Sequence, residues 1–284
     1  MGQTDDKAWE LMVDGYDLHV HSAPSAFPRA LDSWELVYEA NQAGMAGVLL
    51  KSHYESTAIR AELINRHSNC KTKAYGGISL NWPAGGLNVY AAENALKVGA
   101  KIIWMPTRDS ANSLRYGNME GDFFKRKGID ILDENGELKE AVFEILDTVK
   151  KYGAALATGH LSPEESILLC RAGRSRGVRM ILTHPEFPRT KIPAQVQEEL
   201  AEEGVLIEKD WLNVVQGAVS IEEMAQTIRR VGSGRTFIAT DRGQRGAPHP
   251  TLELHRFICA LLEQGMTDSQ IRDMVYNVPK SIVD

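Results

Sequence analysis

A repeated alternation of short apolar runs with amphipathic stretches constrains the fold more than any other feature of this sequence. The apolar runs are rich in Val, Ile, Leu, Ala and Met and lack a strict apolar–polar alternation, which is typical of strands buried on both faces of a parallel sheet. Eight runs are candidate strands: Tyr16–His21, Gly47–His53, Lys73–Asn81, Lys101–Thr107, Ala154–His160, Arg179–His184, Val205–Asp210 and Thr236–Asp241. Helical periodicity predicts helices at Ser33–Ala43, Val89–Val98, Pro163–Arg176, Ala194–Glu203 and Ile221–Val231.

The spacing of the runs predicts how the strands are connected. Successive candidate strands lie about 25 to 31 residues apart, except across one gap of about twice that length. Strand–helix units of this period form parallel sheets, and about eight units favour a closed barrel over an open sheet. The chain has 284 residues, which suits one such barrel. We therefore predict an α/β protein with a single domain over residues 1–284, a (β/α)8 TIM-like barrel.

The long gap follows the fourth candidate strand and contains a polar insertion, residues 108–139. The insertion includes Asp133–Gly136, an Asp-Glu-Asn-Gly sequence typical of a hairpin turn. A loop that follows a barrel strand lies at the carboxyl ends of the strands, where barrel enzymes bind their substrates. We predict that the insertion is a partial lid. A contact between subunits, or plain surface decoration, is the alternative that the sequence leaves open.

Charge and composition argue against several classes of partner. The formal net charge is −6 and no dense Lys/Arg run is present, which argues against nucleic acid and membrane surfaces. Residues 1–9 are polar, unlike a signal peptide, and no apolar run approaches the about 20 residues of a membrane span. The three cysteines are far apart and form no CxxC pair, as expected in a reducing cytoplasm. We expect a cytoplasmic protein with a small-molecule substrate; a homo-oligomer is left open.

Side chains that bind metal ions recur at the ends of the candidate strands. The first strand ends in Asp-Leu-His-Val-His, and residues two apart point to the same side, so that His19 and His21 project together. His160, His184 and Asp241 stand at the ends of the fifth, sixth and eighth strands. Imidazole and carboxylate ligands without thiolates suit Zn, Mn, Fe or Ni. We predict that these five residues bind one or two divalent metal ions, with Zn favoured, at the carboxyl ends of the strands.

On this pattern, and on the Asp-Leu-His-Val-His-Ser-Ala-Pro-Ser sequence of residues 17–25, the chain resembles the amidohydrolase superfamily. It looks closest to an uncharacterised amidohydrolase-like branch, related to the TatD and polymerase-and-histidinol-phosphatase barrels. The superfamily pattern, HxH on strand one, His on strands five and six and Asp on strand eight, spans nearly the whole chain. The resemblance implies that Asp241 both ligates the metal and acts as general base. It also implies a hydrolase that attacks an amide, lactone or cyclic C–N bond.

The chain departs from binuclear members of the superfamily at strand four. Those members have a carbamylated Lys or a Glu at the end of that strand, whereas residues 101–107 end without either. On strand two, Lys51 and His53 share a face and point the same way, so we predict both as catalytic residues. In one interpretation, Lys51, as a carbamate, or His53 holds a second metal ion. In the other, Lys51 stays a cation that pairs with a substrate carboxylate. The alternatives are a buried ion pair for Lys51 and a contact outside the ligand set for His53.

Three further residues are candidates for substrate binding. Trp82 lies in a Gly-rich loop whose backbone N–H groups suit an anion. Arg108 and Arg242 follow strands four and eight and suit a carboxylate or phosphate. The alternative is that these are ordinary loop residues in contact with solvent. Three rival functions also stay open: a mononuclear-metal decarboxylase or deaminase, a phosphoesterase, and a barrel that binds metal or ligand without turnover.

Overall fold

Eight parallel strands, hydrogen-bonded to one another in chain order, form the sheet of this protein. The structure, a computed structural model, describes residues 3–119, 122 and 125–284. The strands are β1 (Tyr16–His21), β2 (Gly47–Lys51), β3 (Lys73–Ser79), β4 (Ala100–Trp104), β5 (Ala155–Ala157), β6 (Arg179–Leu182), β7 (Leu206–Asp210) and β8 (Thr236–Ala239). A bridge between Val20 and Arg242 joins the chain after β8 to β1. Each of these strands lies within one of the eight runs predicted from the sequence, or extends it by a single residue.

At least one helix separates each strand from the next. The helices are α1 (Gln3–Met12), α2 (Ser33–Gln42), α3 (Ala58–His67), α4 (Val89–Lys97), α5 (Ala111–Arg115), α6 (Glu140–Lys151), α7 (Pro163–Ser175), α8 (Ala194–Glu202), α9 (Trp211–Val215), α10 (Ile221–Val231), α11 (Pro250–Glu263), α12 (Asp268–Arg272) and α13 (Val278–Val283). This alternation with eight parallel strands confirms the predicted (β/α)8 barrel. In the described part of the chain, no helix is both long and apolar enough to cross a membrane.

Short polar side chains fix where several helices begin. In three of them, the side chain of the residue before the first turn accepts the backbone N–H of a Glu three residues later. The side chain of that Glu in turn accepts the backbone N–H of the residue before the turn. The pairs are Asp32 with Glu35, Ser162 with Glu165, and Ser220 with Glu223. Such reciprocal bonds satisfy backbone donors that a helix leaves free at its N-terminus. Because these signals are local, the five predicted helices match the observed bounds to within one residue.

Most of the strands end two or three residues earlier than predicted. The strand predicted to reach His160 ends at Ala157, and the one predicted to reach Asp241 ends at Ala239. The backbone turns away from the extended conformation because φ is positive at Gly159 (62°), His184 (29°) and Asp241 (50°). The predicted metal ligands after β5, β6 and β8 therefore stand on the first residues of the following loops.

Backbone contacts divide the chain into two compact units. The described part of the first unit covers residues 3–51, 60–75 and 208–284. Its core packs helices α1, α2, α10 and α11 around strands β1, β2 and β8, with side chains such as Met12, Leu50 and Phe257 fully buried. The prediction of one domain over residues 1–284 stays a prediction.

The second unit takes in the described residues of 52–59 and 76–207. Its buried side chains come mainly from β4, β5, β6 and α6 and include Ile103, Leu156 and Leu146. The insertion at 108–139 belongs to this unit, and its residues 120, 121, 123 and 124 lie outside the described part. The predicted hairpin turn is confirmed by an antiparallel bridge between Leu132 and Leu138. The role of the insertion as a lid stays a prediction.

Candidate metal centre

Two histidines from the end of β1 and one aspartate from the loop after β8 converge in the first unit. His19 and His21 are buried, with ring centres 5.5 Å apart, because alternate residues of a strand point to the same side. Oδ1 of Asp241 lies 3.1 Å from Nε2 of His19 and 3.0 Å from Nε2 of His21. We call these three residues the His–Asp cluster. They are three of the five ligands predicted from the sequence, and their ligand atoms are close enough to share one metal ion.

The second ring nitrogen of each histidine faces a hydrogen-bond acceptor. Nδ1 of His21 lies 3.1 Å from the backbone carbonyl oxygen of Lys51. Nδ1 of His19 contacts the carboxylate of Glu208 and lies 3.4 Å from Oδ2 of Asp210. These acceptors suit N–H groups at both Nδ1 atoms, and a metal ion at the cluster would take the place of the protons between each Nε2 and the Asp241 oxygen. Metal-ligating histidines typically hold their outer N–H in this way.

Lys51 at the end of β2 lies against the same cluster. Its side chain is buried and its Nζ is 2.7 Å from Nε2 of His19. Burial lowers the pKa of Lys51, although the carboxylates of Asp241, Glu208 and Asp210 oppose this effect. Burial and the charge of Lys51 lower the pKa of His19. The carboxylates of Asp241 and Glu208 raise it by more, so the net effect is a raised pKa of His19. Two N–H groups cannot face each other at 2.7 Å, so one of these nitrogens donates a hydrogen bond and the other accepts it with its lone pair.

The backbone around Asp241 is strained and tightly packed against β1. A positive φ at a non-glycine residue costs about 1–3 kcal/mol and occurs mainly at functional sites. The backbone N–H of Asp241 donates to the carbonyl of His19 at 2.9 Å, which holds this conformation. Two residues later, Gly243 has a φ of 122°, and a Cβ atom there would lie 1.7 Å from the carbonyl oxygen of His21. Only glycine therefore allows this loop to approach β1 so closely.

The two histidines favour the ionised form of Asp241. Burial alone would raise the pKa of its carboxyl group, but the rings of His19 and His21 more than compensate and hold it well below its usual range. A carboxylate next to two imidazoles attracts a cation. The cluster therefore has the charge, as well as the donor atoms, that a divalent ion requires.

Sequence reasoning missed two acidic residues that support His19. Glu208 and Asp210 end β7, are buried, and point to the same side because they are two residues apart. Burial raises the pKa of Asp210 well above its usual value, and the nearby Glu208 adds to this. A signal was present in the sequence, since Glu208-Lys209-Asp210 puts three charged residues at the end of an otherwise apolar run. Charges on a strand buried on both faces require partners.

Asp17 was also not selected from the sequence. It is buried on β1, and its carboxylate accepts hydrogen bonds from the hydroxyl of Thr240 at 2.6 Å and from the backbone N–H of Thr240 at 3.1 Å. Burial raises the pKa of Asp17 to about 7, although these hydrogen bonds oppose the shift. Asp17 thereby links β1 to the residue directly before Asp241.

The other predicted histidines lie in the second unit. The ring centre of His160 is 5.9 Å from that of His53 and 5.1 Å from that of His184, so His160 neighbours both rings. The ring of Phe187 packs against both His160 and His184, at 5.6 and 5.2 Å. At Gly159, a Cβ atom would lie 2.4 Å from a backbone oxygen, so the turn that presents His160 requires glycine. The assignment of His160 and His184 as ligands stays a prediction.

The loop after strand four provides a hydroxyl rather than a lysine or glutamate. The Oγ1 atom of Thr107 is 2.9 Å from Nδ1 of His53 and accepts a hydrogen bond from Nδ2 of Asn81 at 2.6 Å. Asn81 Nδ2 also donates to the backbone carbonyl of His53 at 2.7 Å. The side chains of Thr107 and Asn81, hydrogen-bonded to each other, thus hold His53 in place. Its catalytic role, like that of Lys51, stays a prediction.

The Gly-rich loop after β3 already binds a carboxylate of the protein itself. The backbone N–H of Trp82 donates to Oδ2 of Asp109 at 2.9 Å, so the anion at this N–H is an aspartate. The indole Nε1 of Trp82 donates to the carbonyl of Lys127 at 2.6 Å, while 43% of the residue stays exposed. Trp82 therefore bridges this loop and the insertion, and a face of it remains accessible for the substrate contact that we predict.

Both predicted substrate-binding arginines form ion pairs within the protein. Nη1 of Arg108 lies 2.8 Å from Oδ1 of Asp122. Nε of Arg242 lies 3.1 Å from Oε2 of Glu253, and both side chains are buried. The role of these arginines in substrate binding stays a prediction.

The barrel and its strand-end residues define the class of protein to which this chain is similar. It is a (β/α)8 barrel, which confirms the fold that the resemblance drawn from the sequence implies. The chain belongs to a family described as "Family of unknown function (DUF6282)", whose model matches residues 14–208. A comparison with curated protein sequences gives no match.

Solved structures with the same fold differ in the reactions that their names state. The chain is similar to an amidohydrolase from Pseudomonas aeruginosa, with a TM-score of 0.65 and 12% identity over 99% of this chain and 98% of that one. It is also similar to a TatD homologue from Escherichia coli (0.58, 13%, 96% and 98%). A third is a 2,6-dihydroxybenzoate decarboxylase from Rhizobium (0.55, 10%, 96% and 99%). At such identities the likeness establishes the fold, and the reaction has to be argued from this chain's own residues.

Proposed function

We propose that this protein is a metal-dependent hydrolase whose divalent ion binds at the His–Asp cluster. One observation carries the proposal: Nε2 of both His19 and His21 lies within 3.1 Å of one Asp241 oxygen, while both Nδ1 atoms face acceptors. Ligand atoms at about 2.0–2.2 Å from a tetrahedral ion are about 3.3–3.6 Å apart. The two distances from Nε2 to the Asp241 oxygen, 3.1 and 3.0 Å, are slightly shorter than this spacing, and the three ligand atoms lie within 4.8 Å of one another. Nitrogen and oxygen donors without thiolates suit Zn, with Mn, Fe or Ni as alternatives.

The proposed reaction is hydrolysis of an amide, lactone or cyclic C–N bond in a small molecule. A divalent ion held by His19, His21 and Asp241 would supply Lewis acidity and would make a water molecule more acidic. Asp241, kept ionised by His19 and His21, takes the proton of the attacking water and then returns it to the leaving group. If Lys51 is protonated, it adds positive charge where the oxyanion develops. Glu208 holds the ring of His19 in place throughout.

The metal site is tested by replacing both histidines of β1. The double variant His19→Ala/His21→Ala is expected to lose the metal ion of the cluster, because it removes two of three ligands. Metal content of protein purified without chelator, measured by plasma mass spectrometry, reports the loss directly. His67→Ala, at an exposed position at the end of α3, is the matched control and should keep the wild-type metal content. An unchanged metal content in the double variant would refute the proposed site.

The same measurement decides the number of ions. The single variants Lys51→Ala and His53→Ala show whether either residue is a ligand of a second metal ion. About two ions per chain in the wild type, falling to about one in either variant, would indicate a binuclear site. An unchanged content would place that residue outside it. His160→Ala and His184→Ala test the two remaining predicted ligands in the same way.

Glu208→Gln is expected to weaken metal binding by about 10- to 100-fold, as is typical when a residue that holds a ligating histidine is replaced. The amide keeps the size of the side chain but removes the negative charge beside Nδ1 of His19. Competition with a chelating dye measures the dissociation constant. Glu202→Gln, at an exposed position in α8, should leave it unchanged. Equal affinities for both variants would contradict the supporting role of Glu208.

The reaction class is tested with small probes. Dihydrouracil, γ-butyrolactone and N-acetyl amino acids represent cyclic C–N, lactone and amide bonds, and their hydrolysis is followed by proton release or amine formation. Bis(p-nitrophenyl) phosphate tests the alternative of phosphoester hydrolysis. Turnover of one of the first three, lost in His19→Ala/His21→Ala, is the expected result. Phosphoester turnover alone would move the assignment to a phosphoesterase, and no turnover with metal bound would favour a binding barrel.

Decarboxylation is a second candidate, favoured by one observation at strand four. The loop after β4 contributes Thr107 and neither a lysine nor a glutamate, so it lacks the group that binuclear members of the resembled superfamily have there. A site with one ion suits mononuclear decarboxylase or deaminase chemistry. Release of carbon dioxide from 2,6-dihydroxybenzoate, together with about one ion per chain, would favour this candidate over hydrolysis.

A further inference from the structure

We propose that Asp5, His255 and Cys259 form a second metal site, on the outer surface of the first unit between α1 and α11. The site would take a single borderline-soft divalent ion such as Zn²⁺, since it combines a thiolate, an imidazole and a carboxylate. It shares no residue with the His–Asp cluster and does not depend on the proposed function.

The three side chains are already within ligand distance of one another. His255 and Cys259 are four residues apart on α11 and so lie on one face of the helix. The sulfur of Cys259 is 3.7 Å from Nε2 of His255, which in turn is 3.5 Å from Oδ1 of Asp5. In a tetrahedral site, with bonds of about 2.3 Å to sulfur and 2.0 Å to nitrogen, these two atoms are about 3.5 Å apart. The observed spacing is close to that of a bound ion, which would replace the hydrogen bond of Nε2 to the backbone carbonyl of Asp5 at 3.0 Å.

The surroundings favour a cation over a reactive thiol. The carboxylates of Asp5 and Glu263 place negative charge near the sulfur of Cys259. The sulfur is also nearly equidistant from Nδ1 and Nε2 of His255, at 3.9 and 3.7 Å, so it is aligned with neither lone pair. In a thiol–imidazole pair for nucleophilic catalysis, by contrast, the thiol lies beside positive charge and is aligned with an imidazole nitrogen. Acidic groups around a thiol do, however, favour a divalent ion.

The imidazole is held in place and solvent has room to supply a fourth ligand. His255 is buried, and the ring of Trp9 stacks on it with 4.1 Å between ring centres. The cluster lines a cavity of about 750 Å³, which is ample for a water molecule. Arg256 also lines this cavity, but its guanidinium is paired with Glu253 at 2.8 Å, which offsets its charge. An ion here would tie α1 to α11.

Cobalt substitution tests the site independently of the His–Asp cluster. Thiolate ligation gives Co²⁺ an intense near-ultraviolet charge-transfer band, and the His–Asp cluster contains no cysteine. Titration of metal-free protein with Co²⁺ is expected to produce this band in the wild type and in His19→Ala/His21→Ala, and not in Cys259→Ser or His255→Ala. Cys170→Ser and Cys70→Ser are the controls and should retain it. Absence of the band in the wild type, or its persistence in Cys259→Ser, would overturn the proposal.

A measurement on the wild type avoids any folding defect of the variants. Zn²⁺ at about ten times its dissociation constant leaves about one site in eleven empty, so it should slow maleimide alkylation of Cys259 roughly tenfold. Peptide mass spectrometry resolves this rate from that of Cys70, which is the internal control because it is also partly exposed. Equal rates at Cys259 with and without Zn²⁺, whatever the metal content of the His–Asp cluster, would exclude this second site.

Discussion

Replacing Asp241 with asparagine is expected to lower the rate of hydrolysis by about 10²- to 10⁴-fold, the usual contribution of a general base. Asparagine keeps the length of the side chain and an oxygen for the metal, but its amide accepts no proton from water. In the wild type, His19 and His21 hold the pKa of this carboxyl group well below its usual range, which favours the ionised form. Initial rates on the probe that the wild type hydrolyses, together with metal content, check the prediction.

The control for Asp241→Asn is Asp268→Asn, which removes an exposed carboxylate paired with Lys7 and should leave the rate unchanged. Two outcomes of the test differ in meaning. If Asp241→Asn keeps both the metal and the wild-type rate, another group is the base. If it loses both, and rate returns when metal is added in excess, Asp241 serves only as a ligand.

The fold was predictable because its signals are local and repeated. Strands buried on both faces are mostly apolar, so runs such as residues 47–50 stand out against the amphipathic stretches that follow them. Helix starts depend on residues three apart, such as Ser220 and Glu223, and so can be located from the sequence alone.

The ends of the strands were less predictable, since their cause is not local. His184 and Asp241 adopt positive φ angles that their own side chains disfavour. At Asp241, tertiary contacts offset this strain, among them the hydrogen bond from its backbone N–H to His19. The sequence pattern does not reveal that hydrogen bond, so it predicts that the strand continues to Asp241.

The supporting acids of the candidate site were missed for a related reason. Glu208 meets His19 across 189 residues of sequence, and only the folded chain brings them together. His19 and His21 were found because two ligands of the same strand stand two residues apart. Lys51 was selected from the sequence as well, but its contact with His19 was not predicted, since the two lie on different strands.

Replacing Asp109 with asparagine is expected to lower the free energy of unfolding by about 3 kcal/mol, because it leaves a buried charge without its main partner. The carboxylate of Asp109 is fully buried and bonded to Nε of Arg126, to the backbone N–H of Trp82 at 2.9 Å and to the hydroxyl of Tyr54 at 3.5 Å. The side chain of Arg126 is only 8% exposed. Asp122, 3.2 Å from Arg126, remains and offsets part of the loss.

Asp147→Asn is the matched control, since it breaks an Asp–Arg pair on the surface. Asp147 and Arg176 are 59% and 40% exposed, and loss of such a pair costs less than about 1 kcal/mol. Urea unfolding of both variants at one protein concentration gives the comparison. Equal losses would mean that Asp109 contributes no more than a surface charge. A large loss at Asp109, with metal content unchanged, would show that it stabilises the insertion and the Gly-rich loop without taking part in metal binding.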